Sequence, residues 1–71
     1  MAEYYVNNNR QEGQGNNNEV HREGCYWLGL ITNKTYLGDY NSCEPAVIEA
    51  KKIYPDSADG CAVCSSDCNN G

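Results

Sequence analysis

Asn41-Ser42-Cys43-Glu44-Pro45-Ala46-Val47-Ile48-Glu49-Ala50-Lys51-Lys52-Ile53-Tyr54-Pro55 reads as one helix with both ends marked. Asn41 or Ser42 can accept hydrogen bonds from the first free amides. Glu44 and Pro45 suit the first turn: the carboxylate meets the positive end of the helix dipole, and proline there gives up no needed hydrogen bond. Lys51 and Lys52 suit the negative end, and Pro55 stops the helix at Tyr54. The expected helix is therefore 42–54. Cys43, Val47, Ala50 and Tyr54 fall on one stripe, flanked by Ala46 and Ile53, with Glu44, Lys51 and Lys52 outside it. A helix this short is not stable alone in water, so the stripe must lie on something else.

The sequence upstream supplies a sheet. Glu3 to Val6 is rich in Tyr and Val and reads as a short strand. Glu19 to Leu28 begins as a strand but is broken by Glu23-Gly24, a turn or bulge signal. Gly29 and Thr32-Asn33-Lys34 bracket a further turn, and Thr35 to Tyr40 reads as a strand. Leu28–Ile31 and Thr35–Tyr40 would then form a hairpin. Asp56 to Gly60 reads as a turn-rich bridge to the cysteine-rich segment 60–68. The expected class is α+β: a short antiparallel sheet packed against one helix, with the C-terminal segment folded back over it.

Size makes such a unit marginal. The 71 residues allow a single small domain, and the segment 7–19 is almost wholly Asn, Gln, Gly and Glu. Ordering each backbone unit costs roughly 1–2 kcal/mol, which a segment without apolar side chains cannot offset, so 7–19 is expected to be a flexible polar loop. About 50 residues remain, a size at which domains usually need disulfides, a metal or a partner.

Charge removes several functions. Net charge is −5, and the five Lys and Arg residues, Arg10, Arg22, Lys34, Lys51 and Lys52, are scattered. Binding a phosphate backbone wants a basic face, so nucleic acid is not an expected partner. Acidity also disfavours anionic membranes, and no run approaches the ~20 apolar residues of a membrane span. Met1 to Val6 has neither a basic region nor an apolar run, so the expected location is cytoplasmic. A reducing compartment favours metal ligation or reactive thiols over structural disulfides.

The five cysteines carry the remaining chemistry. Cys61-x2-Cys64 has the spacing that lets two thiolates grip one tetrahedral ion. His21 and Cys25, a His-x3-Cys pair, can supply the other half if Glu23-Gly24 turns the chain. The expected zinc ligands are thus His21, Cys25, Cys61 and Cys64, with Cys43 or Cys68 as substitutes. Disulfides compete with this reading, joining Cys25 or Cys43 to the tail. Buried reduced thiols are a third state. Five cysteines cannot all pair within one chain. Cys61-Ala62-Val63-Cys64 also has the spacing of a dithiol switch, but it lacks the strand-to-helix setting of thioredoxin-like sites. Glu12, Glu19, Glu23, Asp39, Glu44, Asp56, Asp59 and Asp67 show no hydrolase spacing, Asp56, Asp59 and Asp67 lack the dense spacing of an EF-hand loop, and the glycines form neither a dinucleotide fingerprint nor a phosphate loop.

Tyr4-Tyr5-Val6-Asn7, Glu19-Val20-His21 with Cys25, Tyr36 to Tyr40, Cys43 with Ala46-Val47 and Ala50-Lys51, and Gly60-Cys61 with Cys64 and Cys68 resemble a group of small cysteine-rich bacterial proteins without an established activity. The group commonly has a His after the last Cys, where this chain has Asn69, leaving His21 as the one histidine. A fainter pattern is similar to the small metal-binding modules found beside DNA-repair methyltransferases and nucleases. It runs through His21, Cys25, Tyr36 to Tyr40, Ala46 and Cys61 to Cys64. That similarity implies a compact strand–strand–helix fold. It does not carry over DNA binding, because the basic surface is missing.

The expected function is a non-catalytic, zinc-stabilised interaction module with a protein partner. A cytosolic thiol-active or redox-sensing protein and a disulfide-stabilised secreted miniprotein are the alternatives.

Overall fold

The computed structural model describes residues 1–9 and 17–69. Along the chain it has strands β1 (Ala2–Asn7), β2 (Asn18–Arg22) and β3 (Lys34–Tyr40), helix α1 (Cys43–Ile53) and strand β4 (Ala58–Gly60). Two 3-10 turns, Leu28–Leu30 and Ser66–Cys68, complete it. The strands lie in the order β3-β1-β2-β4, with α1 on one face. The α+β class is as expected.

The sheet is mixed rather than wholly antiparallel. β1 pairs antiparallel with β2 and β3, whereas β4 pairs parallel with β2, Glu19 standing opposite Asp59. A parallel neighbour needs a crossover connection, and α1 lies in the chain between β3 and β4 to provide it. Ala58-Asp59-Gly60, expected to be part of a bridge, becomes a strand because β2 offers it an edge. The pairing is extended by Asn18 N–H to the Ser57 carbonyl at 2.8 Å and Cys61 N–H to the Val20 carbonyl at 2.9 Å.

The hairpin of Leu28–Ile31 with β3 does not form. Leu28–Leu30 coils into the 3-10 turn instead, with Ile31 N–H bonded to the Leu28 carbonyl at 3.1 Å. β3 pairs with β1, where Tyr5 and Tyr36 bring their rings to 5.3 Å. An aromatic cross-strand pair of this kind stabilises a sheet by up to about 1 kcal/mol, and the glycine-containing 28–31 segment has none to offer.

The helix follows its punctuation closely. Ser42 is its N-terminal flanking residue, though its side chain makes no capping hydrogen bond, contrary to expectation, and Tyr54 is the C-terminal one. Cys43, Ala46, Val47 and Ala50 are buried, Tyr54 is half-buried and Ile53 is exposed. With Tyr4, Val6, Val20, Ala58 and Cys68 these buried residues make the core. Of the polar loop, the two ends are ordered by the sheet: Asn7 belongs to β1, Asn18 and Glu19 to β2, and Asn18 Nδ2 bonds the Asn7 carbonyl at 3.1 Å. Its centre, 10–16, lies outside the described residues.

β2 is covered on both faces, with Asn18, Glu19, Val20 and His21 all buried. Successive side chains on a strand point to opposite faces. Val20 faces the helix and joins the core, so Glu19 and His21 face away from it.

Candidate metal centre

His21 is fully buried, with two cysteine sulfurs beside its ring. Its Nδ1 lies 3.8 Å from Cys25 Sγ and 3.8 Å from Cys64 Sγ. The ligand atoms of His21, Cys25, Cys61 and Cys64 all lie within 4.8 Å of one another. A tetrahedral ion with Zn–S near 2.3 Å and Zn–N near 2.1 Å needs ligand atoms roughly 3.6–3.8 Å apart. The two His–Cys distances lie close to that range, and the other separations stay within 4.8 Å. The four side chains expected from the sequence are the four brought together.

Each half of the cluster is built locally. After His21 ends its buried run, Gly24 takes φ +93°, a conformation that favours glycine, and Cys25 N–H bonds the Arg22 carbonyl at 3.0 Å. This turn bends Cys25 back toward the ring four residues earlier. On the other side Cys61 leaves β4, and Ser65 N–H bonds its carbonyl at 2.9 Å, closing a tight loop round Cys64. Two sulfurs also accept backbone amides: Val63 N–H to Cys61 Sγ at 3.4 Å and Arg22 N–H to Cys64 Sγ at 3.3 Å. Such bonds stabilise thiolate over thiol and fix the direction of the sulfur lone pairs.

The electrostatics suit a neutral imidazole. Burial holds His21 down at about 4, so the ring is neutral at pH 7, the form that ligates a metal. Burial pushes the Cys25 thiol up, but bonds from the Cys64 thiol, the Trp27 and Leu28 backbone and the Cys61 thiol outweigh it and leave Cys25 below its ordinary range. Cys64 goes the other way, pushed up to about 12 by burial and by its bond to Cys25, against the pull of the Arg22 amide. A dication would displace the thiol protons and convert the cluster to thiolates, as metal binding to cysteine generally does.

Cys43 and Cys68, the substitute ligands, are not at the site. They form a disulfide that joins the start of α1 to the 3-10 turn Ser66–Cys68. The segment 61–68 therefore rounds the end of β4, placing Cys61 and Cys64 on one face of the sheet and Cys68 on the other. Gly60 allows the turn: a Cβ there would sit 2.6 Å from the Ser65 carbonyl oxygen and 2.8 Å from Cys68 Cβ. All five cysteines are accounted for, three at the cluster and two in the disulfide.

One buried group had no signal in the sequence. Glu19, on the same face as His21, is 1% exposed, and burial and the Asp59 charge push its carboxyl up to about 7. No helix among the described residues is long and apolar enough to cross a membrane. Comparison with protein-family models, with curated proteins and with solved structures finds no match for this chain.

Proposed function

We propose that the chain is a non-catalytic interaction module whose small fold is closed by one structural zinc ion on His21, Cys25, Cys61 and Cys64. The observation that carries this reading is the convergence of those four ligand atoms. Cysteine sulfur with imidazole is a soft and borderline donor set that suits zinc. All four positions would be filled by protein, whereas a catalytic zinc keeps one position for water or substrate. The ion would tie β2 and its following turn to the segment after β4.

A protein partner fits the surface around the site. Tyr26, next to Cys25, is 72% exposed, and Val63, next to Cys64, is 67% exposed. Zinc would thus hold rigid the two turns that display these apolar side chains. Scattered Lys and Arg on an acidic chain leave nucleic acid a poor candidate.

The experiment is native mass spectrometry of the freshly purified chain with and without a chelator. One zinc per chain, whose removal by the chelator lowers Tm, supports the reading. A chain that carries no metal as purified and melts at the same temperature with and without chelator contradicts it.

A second reading rests on Cys25, a half-buried thiol held below its ordinary range. A redox-sensing protein would use it as the attacking thiolate with Cys64 as its resolving partner. Rapid alkylation of Cys25 in the native protein as purified would favour that reading, and zinc protection of Cys25 would oppose it.

The Cys43–Cys68 disulfide bears on location, since such bonds persist in oxidising compartments and are rare in the cytosol. It favours the exported alternative over a cytoplasmic one. Recovery of the oxidised form from outside the cell is the test.

A further inference from the structure

We propose that Glu19 and Asp59 form a second, separate metal site, one for a hard divalent cation of the calcium class. The proposal does not depend on zinc at the thiol cluster. It rests on where β2 and β4 place two carboxylates and on what one of them lacks.

Glu19 and Asp59 are register partners on neighbouring parallel strands, so their side chains project from the same face of the sheet. Glu19 is 1% exposed and Asp59 6% exposed. Both carboxylate oxygens of Glu19 are sealed from solvent and have no hydrogen-bond partner among the described residues. Buried carboxylates are ordinarily paired or bonded, because an uncompensated one costs several kcal/mol. A proton would cancel the charge but would still leave the carbonyl oxygen without a donor and the new O–H without an acceptor. A cation bound through both oxygens satisfies the two at once.

The donor set selects the ion. Glu19 and Asp59 offer only oxygen, and Asn17 places its side-chain amide beside Asp59, its Nδ2 donating to Asp59 Oδ2 at 3.4 Å. An amide that close can turn its own oxygen to a cation. Oxygen-only sites suit calcium and magnesium, and calcium accepts the bidentate carboxylate and irregular shell that a strand pair provides. A cleft of about 240 Å³ bordered by Asn17, Asp56, Ser57 and Asp59 lies on the Asp59 side of the pair and has room for waters of the ion's shell. Lys51 borders the same cleft and its charge opposes the ion, which sets the affinity at the weak end. Glu19 and His21 are two residues apart on one strand face, so the sheet would carry a hard site and a soft site side by side.

The test is calorimetric titration of calcium chloride into the full chain as purified, with thermal unfolding measured at each calcium level and zinc content measured in parallel. The expected result is one calcium per chain with a dissociation constant of roughly 10⁻⁴–10⁻³ M, and a rise in Tm that saturates with it. Glu19→Gln and Asp59→Asn should each weaken calcium binding by about tenfold or more, because each removes a charged ligand, while leaving zinc content unchanged. Glu49→Gln, on the helix and paired with Lys52 away from Glu19 and Asp59, should bind as the parent does. Absence of heat and of any Tm shift in the folded parent chain at tens of millimolar calcium would overturn the proposal. So would unchanged binding in Glu19→Gln, or calcium that is displaced by zinc and lost with Cys61→Ser. If Glu19→Gln does not fold, Asp59→Asn decides the matter of assignment and the parent titration decides the matter of binding.

Discussion

At the scale of single residues, His21 and Glu19 are buried on the same strand face with opposite protonation preferences. Burial lowers His21 to about 4 against 6.5 for the free group, so the unfolded chain binds the proton more tightly. The stability His21 contributes is present above pH 6.5 and is lost as pH falls toward 4. Glu19 is raised to about 7 against 4.5, so the folded chain binds its proton more tightly. Its contribution is present below pH 4.5 and is lost as pH rises through 7. Glu19→Gln should therefore gain stability relative to the parent as pH climbs from 5 to 8 in calcium-free buffer. Urea unfolding at those two pH values checks it; a difference that stays constant or shrinks would contradict the burial of an uncompensated carboxylate. For the cluster itself, Cys64→Ser removes one of the four ligands. It should abolish stoichiometric zinc and lower stability by several kcal/mol, since removing one partner strands the others. Zinc content and urea midpoint report it together.

At the scale of elements, the segment 61–68 joins the two faces of the sheet. Gly60→Ala would force a methyl against the Ser65 carbonyl and Cys68, backbone and disulfide atoms that cannot swing aside. A cost of roughly 1–3 kcal/mol is expected, typical of overpacking, and thermal unfolding measures it. A neutral substitution would mean that the tail does not pack against β4. Removing the disulfide with the pair Cys43→Ser and Cys68→Ser opens a loop of separation 25. The chain-entropy account puts that at about 3 kcal/mol. Zinc content should survive, because neither sulfur is at the cluster.

The same elements show how far the sequence was legible. The helix could be read because Pro45, Pro55, Glu44 and the lysines are local signals that need no tertiary context. The four side chains of the cluster could be read because His21-x3-Cys25 and Cys61-x2-Cys64 are short spacings whose halves close locally. β4 could not, because Ala58-Asp59-Gly60 has no strand preference and takes its form from the free edge of β2. The Cys43–Cys68 pairing could not, because cysteine connectivity is combinatorial and either upstream cysteine offered a plausible partner. Nor could the burial of Glu19. It is inward only because β2 is central and covered on both faces, and no alternation of polar and apolar residues announces that.

At the scale of the whole molecule, the core cluster among the described residues has nine members, several of them small. A core of this size rarely supplies more than about 3–5 kcal/mol, so covalent or metal ties are expected to decide whether the chain folds. Here one tie lies on each face of the sheet: the disulfide on the helix side, the His–Cys cluster on the other. Losing either should leave a weakened fold, and losing both should leave none. Far-UV circular dichroism under chelator, under reductant and under the two combined would show that order.

The most direct measurement of the central claim is native mass spectrometry of the purified chain, paired with thermal unfolding before and after chelation. The account predicts one zinc per chain, an intact Cys43–Cys68 disulfide, and a Tm that falls when the chelator takes the ion. A chain that carries no metal, alkylates freely at Cys25, Cys61 and Cys64, and melts at the same temperature with and without chelator would contradict it.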